Sequence, residues 1–418
     1  MAAVVALAVR LLAIARLLPD DPMGDNFYFH AQANLLADGH WFVHPFTWQL
    51  EHRLEASAIH PPLYVAYLAL GSLAGLRSFA AHAVLSSFLG VGTVVVAALC
   101  ARRLAGNVAG LVAAALVAVH PGLWLHDAIV MSESLYGLMV ACIILAALRV
   151  WEEPSMTRLL LLGAAIGAAA LTRGEALFLV PLLLLPLARR SGWRSAAVAA
   201  AAFASVLTPW VAWNSARFDT PVLISLNSNE VIALANCPET YYGTELGYWT
   251  PACYRGDPSG DEAERAAFWR RRGLDYIRDH LGRVPFVVLA RLGGAFGVYH
   301  TIRHVGFGDG EGRPWAWGLA GQLTFLVLIV PAVAGAAVLV RRKRPWWPVV
   351  VPAAAVVVTA SLVYGSIRFR LAADVVQVLL VSVAVTAVPA LRAPSRSDSE
   401  SSVRGARRGK ADRRTAAG

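Results

Sequence analysis

The sequence predicts an all-α polytopic membrane protein of about ten crossings (range about 10–12), and three observations carry that prediction. Apolar residues make up 57% of the 418 residues and charged residues only 15%, with a mean hydropathy of +0.55. A soluble domain carries about 25% charged residues, so this composition excludes an ordinary globule. Uncharged runs of about 20 residues recur, the length that a hydrocarbon core of about 30 Å requires. Third, the basic residues gather in short clusters between those runs: Arg102–Arg103, Arg189–Arg190–Arg194, Arg341 to Arg344, and the tail from Arg392.

The clustering also decides what the net charge of +10 means. A nucleic-acid binder concentrates charge in one patch, whereas basic loops spaced between apolar runs follow the rule that such loops stay cytoplasmic. No nucleic-acid partner is expected. Only Lys343 and Lys410 represent lysine against many arginines, which fits a GC-rich bacterial genome and hence a bacterial plasma membrane.

The first apolar run, about 2–18, has the length of a signal-peptide core. It lacks a basic residue before it and a small-residue cleavage site after it, so it reads as an uncleaved span. Further runs fall at about 61–76, 79–101, 107–125, 132–150, 158–172, 175–188, 195–215, 284–299, 317–340, 346–364 and 371–391. If all of them cross, the basic clusters cannot share one side. The runs 61–76 and 284–299 are short and interrupted by Pro, Gly, Tyr or Arg. Laid at the interface instead, they leave every basic cluster and both termini cytoplasmic.

The expected organisation is a transmembrane domain over residues 1–391, with a first outer loop at 19–60 and a long outer loop at 216–283. A disordered basic cytoplasmic tail follows at 392–418; it is polar, poor in aromatics and suited to anionic lipid heads. No internal repeat of the transporter kind is evident. The outer side then also collects "LHDAIVMSESLY", "LTRGEAL", the 300–315 loop and "YGSIRFR".

Those outer segments hold the candidates for chemistry. In "GDNFYFHAQANLLADGHWF" the spacing of Phe27, Ala31, Asn34, Leu35 and Asp38 is helical, which puts Asp25 at a helix start. Asp25 there suits a helix cap, and equally a general base for a hydroxyl held at the bilayer surface. Glu133 and Asp127 stand at the outer end of a span, where an unpaired charge in hydrocarbon is costly. Either Glu133 is solvated behind a capping Ser132, or it faces the same cavity as Asp25. Arg173, Arg368 and Arg370 on the outer side break the charge pattern and need partners. A phosphate oxygen suits the guanidinium fork; snorkelling or a carboxylate, such as Asp374 four residues beyond Arg370, would also serve.

The first loop contains five histidines, His30, His40, His44, His52 and His60, at spacings of 10, 4, 8 and 8. These match no compact metal motif, so no metal site is expected. His60 opens "HPPLY", where two prolines fix a bend that can turn His60 and Tyr64 toward a cavity. Cys100 and Cys142 lie in apolar runs as packed thiols. Cys237 and Cys253 share the long polar loop and can pair if it faces an oxidising exterior; neither resembles a zinc ligand set.

Taken in order, "GDNFYFHAQANLLADGHWF", "HPPLY", "SESLY", "LTRGEAL", "LTPWVAWNSARFDTPVLISLNSNEVIALANC" and "YGSIRFR" resemble bacterial membrane glycosyltransferases. The resemblance is to those related to protein O-mannosyltransferases and aminoarabinose lipid A transferases, a glycosyltransferase family 39-like group with the C-type fold. It runs over about residues 1–391. It implies a hexosyl- or pentosyltransferase that moves a sugar from a polyprenyl-phosphate donor to a hydroxyl on a lipid, glycan or protein acceptor. The catalytic aspartate maps onto Asp25, the acidic residue of the next outer corner onto Glu133, and the late Arg-x-Arg onto Arg368 and Arg370.

Many relatives have a second acidic residue directly after the aspartate, where this chain has Asn26. That departure weakens a paired-carboxylate metal site and leaves the single base, which implies inversion at the sugar carbon. No cofactor is required on this reading; a divalent ion is compatible with it but has no support in the sequence. The alternative is a transporter or flippase that binds an anionic lipid-linked sugar with the same arginines and performs no chemistry. A membrane scaffold leaves the outer arginines unexplained.

Overall fold

Helices form where the apolar runs lie, and the loops between them fold into further short helices. The computed structural model describes residues 1–256, 258–309 and 312–388; the tail at 392–418 lies outside the described residues. In chain order, α1 (Ala2–Leu17) leads into a first loop folded as α2 (Asp25–Ala37) and α3 (Pro45–Glu51), and then α4 (Pro62–Leu73). After them come α5 (Phe79–Ala105), α6 (Asn107–Val119), α7 (Pro121–Ala128), α8 (Glu133–Glu152), α9 (Met156–Ala170), α10 (Leu179–Ser191) and α11 (Trp193–Ser215). The long loop holds α12 (Asn227–Leu234), α13 (Pro238–Tyr241) and α14 (Glu262–Asp279). Then follow α15 (Val284–Ala295), α16 (Thr301–Asp309), α17 (Trp315–Arg341), α18 (Trp347–Leu362) and α19 (Leu371–Ala387). Among the described residues there is no strand, only an isolated bridge between Val43 and Ala56.

Among the described residues, five helical segments are each long and apolar enough to cross a membrane: α5, α8, α11, α17 and Ile367–Ala387, which contains α19; α6 with α7 makes a sixth as a bent pair. The runs expected at the interface became α4 and α15, of 12 residues each. At 1.5 Å per residue each is about 18 Å long, well short of a core of about 30 Å.

One expected span is broken. The run at 107–125 bends by 50° between α6 and α7. His120 is extended (ψ 115°) ahead of Pro121, because a proline disfavours helical geometry in the residue before it.

The most enclosed helix is α19, whose side chains are buried nearly throughout, although α17 is just as apolar. α17 spends much of its apolar surface on the outside of the bundle, as a lipid-facing helix must. The two meet backbone to backbone: a Cβ on Gly335 would overlap the Leu380 carbonyl oxygen, the close approach that small residues permit between membrane helices.

Charge divides the bundle into two poles. Arg103 pairs with Glu152 at 2.5 Å, Arg344 donates to the Arg103 carbonyl at 3.2 Å, and Arg190 donates to the Trp151 carbonyl at 2.9 Å. The arginine clusters therefore share one pole. At the other, the long loop docks on the first: Arg217 donates to the carbonyls of Phe42 (2.9 Å) and Ser57 (3.3 Å). Gly365 bonds to Gly247 at 2.8 Å. Cys237 and Cys253 are bonded, with Cα atoms 5.9 Å apart.

Within the bundle, Arg10 of α1 and Asp127 of α7 form a buried pair at 2.6 Å. Room for it exists because residue 90 is glycine: a Cβ there would overlap both Asp127 Oδ2 and Arg10 Nε.

Candidate functional site

Asp25 is the first residue of α2, but it does not cap it. The cap position is Gly24, with φ 62°, and no side chain bonds to the helix start. The carboxylate is thereby free for other partners. Its Oδ2 meets Arg368 Nη2 at 2.6 Å and its Oδ1 meets His60 Nε2 at 3.2 Å. Burial alone would raise its pKa, yet the Arg368 guanidinium and His60 outweigh that and hold the carboxyl well below the usual carboxylate range. Its side chain is 26% exposed, against 10% for His60 and Arg368, so Asp25 is the most accessible of the three.

Behind Asp25 the charges continue as a chain. Arg368 Nε also donates to Glu133 Oε1, and Arg173 Nη1 meets the same Glu133 oxygen at 2.7 Å. Arg173 Nε pairs with Glu175 at 2.5 Å, and its Nη1 donates to Ser132 Oγ at 3.3 Å. Glu133 is buried (1% exposed) and Ser132 caps nothing, so a solvated Glu133 behind a capping serine is not what the fold contains. Glu133 is the shared counter-ion that holds two guanidiniums side by side. The five groups come from four separated segments: the start of α2, the start of α8, the turn after α9 and the turn before α19.

His60 follows the same logic from the other side. Pro61 and Pro62 start α4, and the imidazole packs between Tyr28 (4.6 Å) and Phe29 (4.8 Å), which aims Nε2 at Asp25.

Three expected placements need correction. Tyr64 is fully buried; its hydroxyl bonds Ser86 at 2.6 Å and its ring backs Phe29 at 5.2 Å, so it supports the site from behind and does not face a cavity. Asp127 turns inward to Arg10. Arg370, expected at a donor phosphate, is 3% exposed. It pairs with Asp374 at 3.0 Å, donates to Gln322 and lies 4.0 Å over the Phe325 ring. Ile367–Arg370 is a 3₁₀ turn with three residues per turn, so residues two apart point to different sides and only Arg368 faces Asp25.

Sequence reasoning did not single out Glu175, Gln322 or Arg10. Arg10 had a usable signal: a charge in the middle of an apolar run requires a buried partner. Of the histidines, His30 bonds His82 at 3.0 Å and His44 accepts from Thr47 N at 3.2 Å. Among the described residues, the three potential metal ligands that lie close together are Cys237, Glu239 and Cys253, and the two sulfurs are bonded to each other.

Comparison places the fold. The oligosaccharyltransferase of Archaeoglobus fulgidus in complex with Zn and sulfate superposes with a TM-score of 0.53 and 16% identity, over 93% of this chain and 49% of that one. Its apo form gives a TM-score of 0.51 and 16% identity, over 92% of this chain and 50% of that one. This chain thus spans about half the length of that protein. ArnT of Cupriavidus metallidurans bound to undecaprenyl phosphate gives 0.44 and 16% identity, over 92% of this chain and 77% of that one. No curated protein matches the chain in sequence.

The fold is that of the C-type membrane glycosyltransferases. Residues 59–220 match the family described as dolichyl-phosphate-mannose-protein mannosyltransferase. The matched segment includes His60, Glu133, Arg173 and Glu175, four of the residues around Asp25.

Proposed function

We propose that this protein transfers a sugar from a polyprenyl-phosphate carrier to an acceptor hydroxyl at the outer face of a bacterial plasma membrane. The observation that carries this reading is the chain Asp25–Arg368–Glu133–Arg173, with its more exposed carboxylate, Asp25, at one end, set in a C-type fold. The family description names a lipid-phosphate sugar, and the paired guanidiniums offer a phosphate two planar donor forks.

The acceptor oxygen attacks the sugar carbon, the bond to phosphate breaks, and its electron pair stays on the phosphate oxygen. The hydroxyl proton passes to Asp25. One base and one displacement invert the sugar carbon. Paired with Arg368, Asp25 is a weak base; a donor phosphate that draws Arg368 toward itself raises the proton affinity of Asp25 as the acceptor arrives. On this reading Arg173, held by Glu133 and Glu175, meets negative charge growing on the leaving phosphate, where fixed cations help most. Arg368 keeps Glu133 while exchanging Asp25 for phosphate.

The test uses purified protein in lipid discs with radiolabelled polyprenyl-phosphate hexose and, separately, pentose. Extracted envelope lipids, glycans and proteins serve as acceptors. Label in any acceptor supports transfer. Label that crosses the bilayer of sealed vesicles with none in an acceptor replaces this reading with flipping.

A further inference from the structure

His60 is held by residues 56–60, a stretch with no helix or sheet of its own, so its backbone partners decide where the imidazole sits. Ser57 N–H bonds the Phe42 carbonyl at 2.8 Å, and Arg217 donates to the Ser57 carbonyl at 3.3 Å. Leu226 N–H and Asn227 N–H donate to the carbonyls of Ala58 (2.8 Å) and Ile59 (3.2 Å). The N–H of Ala58, itself 1% exposed, is met by Glu262 Oε2 at 2.6 Å.

Glu262 stands at the start of α14 in the long loop and is 2% exposed. Its second oxygen has no hydrogen-bond partner among the described residues. A buried carboxylate with so few hydrogen bonds is costly, and α14 does not need it. Asp261 already caps that helix, accepting from Glu264 N–H at 2.8 Å while Glu264 accepts from Asp261 N–H at 2.9 Å. The surrounding charges do not close a pair either: Arg217 and Arg265 attract Glu262, while Glu230 and Glu55 repel it. Its one firm contact is with the His60 segment.

We propose that Glu262 is a positioning residue: it ties α14 of the long loop to the segment carrying His60 and so fixes His60 against Asp25. The inference rests on the reading above that Asp25 and His60 belong to the reacting site. Anything that docks on or displaces α14 then acts on His60 through the contacts of Glu262 with Ala58 and the neighbouring Ser57.

The test reads His60 directly, without substrate. Diethyl pyrocarbonate labels accessible imidazoles, and mass spectrometry of the peptide holding His60 gives its rate in protein held in lipid discs. Glu262→Ala is expected to label His60 several-fold faster than wild type. Glu262→Gln, whose amide oxygen still accepts from Ala58 N–H, is expected to match wild type. Asp261→Ala weakens the cap of the same helix while leaving the link, and is expected to leave the His60 rate unchanged. Should the alanine variant not accumulate, Glu262→Ser, polar but too short to reach Ala58, gives the same comparison. Where transfer is measurable, Glu262→Ala lowers kcat by about ten-fold or more, the cost of a misplaced reacting group, with KM for the lipid donor unchanged. Equal labelling in wild type and Glu262→Ala overturns the proposal, as does a glutamine variant that behaves like alanine or an Asp261→Ala variant that exposes His60. The expected labelling in a protein that transfers no sugar leaves the link standing and removes the catalytic reading.

Discussion

Two sets of buried ion pairs occupy this bundle, and they are wired differently. In the interior two arginines each have a carboxylate of their own: Arg10 has Asp127 and Arg370 has Asp374. At the pole, Arg368 and Arg173 share Glu133, and each touches a further carboxylate, Asp25 or Glu175. A dedicated pair is closed, because losing its partner strands a charge in apolar surroundings. A shared chain is exchangeable, because Arg368 released from Asp25 still has Glu133. Partner sharing, more than burial or charge, separates the groups suited to ligand exchange from those that hold helices together.

The comparison breaks most visibly at Asp25. Asp25→Asn is expected to cut transfer by about 10²–10⁴-fold, the usual worth of a general base, with donor binding and thermal stability near wild type. Near-normal turnover would remove Asp25 from the mechanism. Asp127→Ala should do the reverse. Stranding Arg10 costs about 3–5 kcal/mol, as for other broken buried pairs. It should appear as a lower melting temperature in detergent, with unchanged donor affinity in the protein that remains folded.

A milder pair of substitutions sharpens the contrast within one motif. Arg368→Lys keeps the charge and loses the planar fork, so binding of a polyprenyl-phosphate sugar in lipid discs should weaken several-fold. Arg370→Lys should leave that affinity alone and lower the melting temperature. Equal affinity loss in both would merge the two sets.

A further expected effect is a pH slope. Burial pushes the Glu262 carboxyl up to about 7 from its ordinary 4.5. Between those values the folded chain holds a proton that the unfolded chain has released, so stability should fall as pH rises from about 4.5 to about 7. Glu262→Gln should flatten that part of the melting-temperature profile; an unchanged slope would place its origin elsewhere.

Much of the fold and part of the site could be read from residue order. Glu133, Arg173 and Arg368 each stand as a charge at the end of an apolar run, and a charge there is forced toward partners of opposite sign. That constraint brought them together with Asp25. The facing of individual side chains followed from local geometry that composition does not encode. Arg370 is two residues from Arg368, and a 3₁₀ turn sent it inward; Tyr64 is one helical turn beyond His60 and lies behind it. Glu262 was hidden for the opposite reason: its loop is rich in charge, and no apolar background marked one carboxylate as buried. The bend at His120 had a signal in Pro121, masked by the apolar residues on both sides.

Gly90 carries a consequence for the history available to this chain. The Arg10–Asp127 pair fills the volume that a side chain at position 90 would occupy, so even alanine there must displace the paired side chains. Removing one charge first strands the other. A lineage leaving this arrangement one substitution at a time therefore meets a loss at every first step, whichever position changes. Replacing all three together by apolar residues of matching volume is a different matter, since such swaps for buried ion pairs are often neutral or favourable. Positions 10, 90 and 127, far apart in sequence, behave as one inherited character. A saturation library of single variants should find all three nearly intolerant, while a combinatorial library over the same three should recover folded chains.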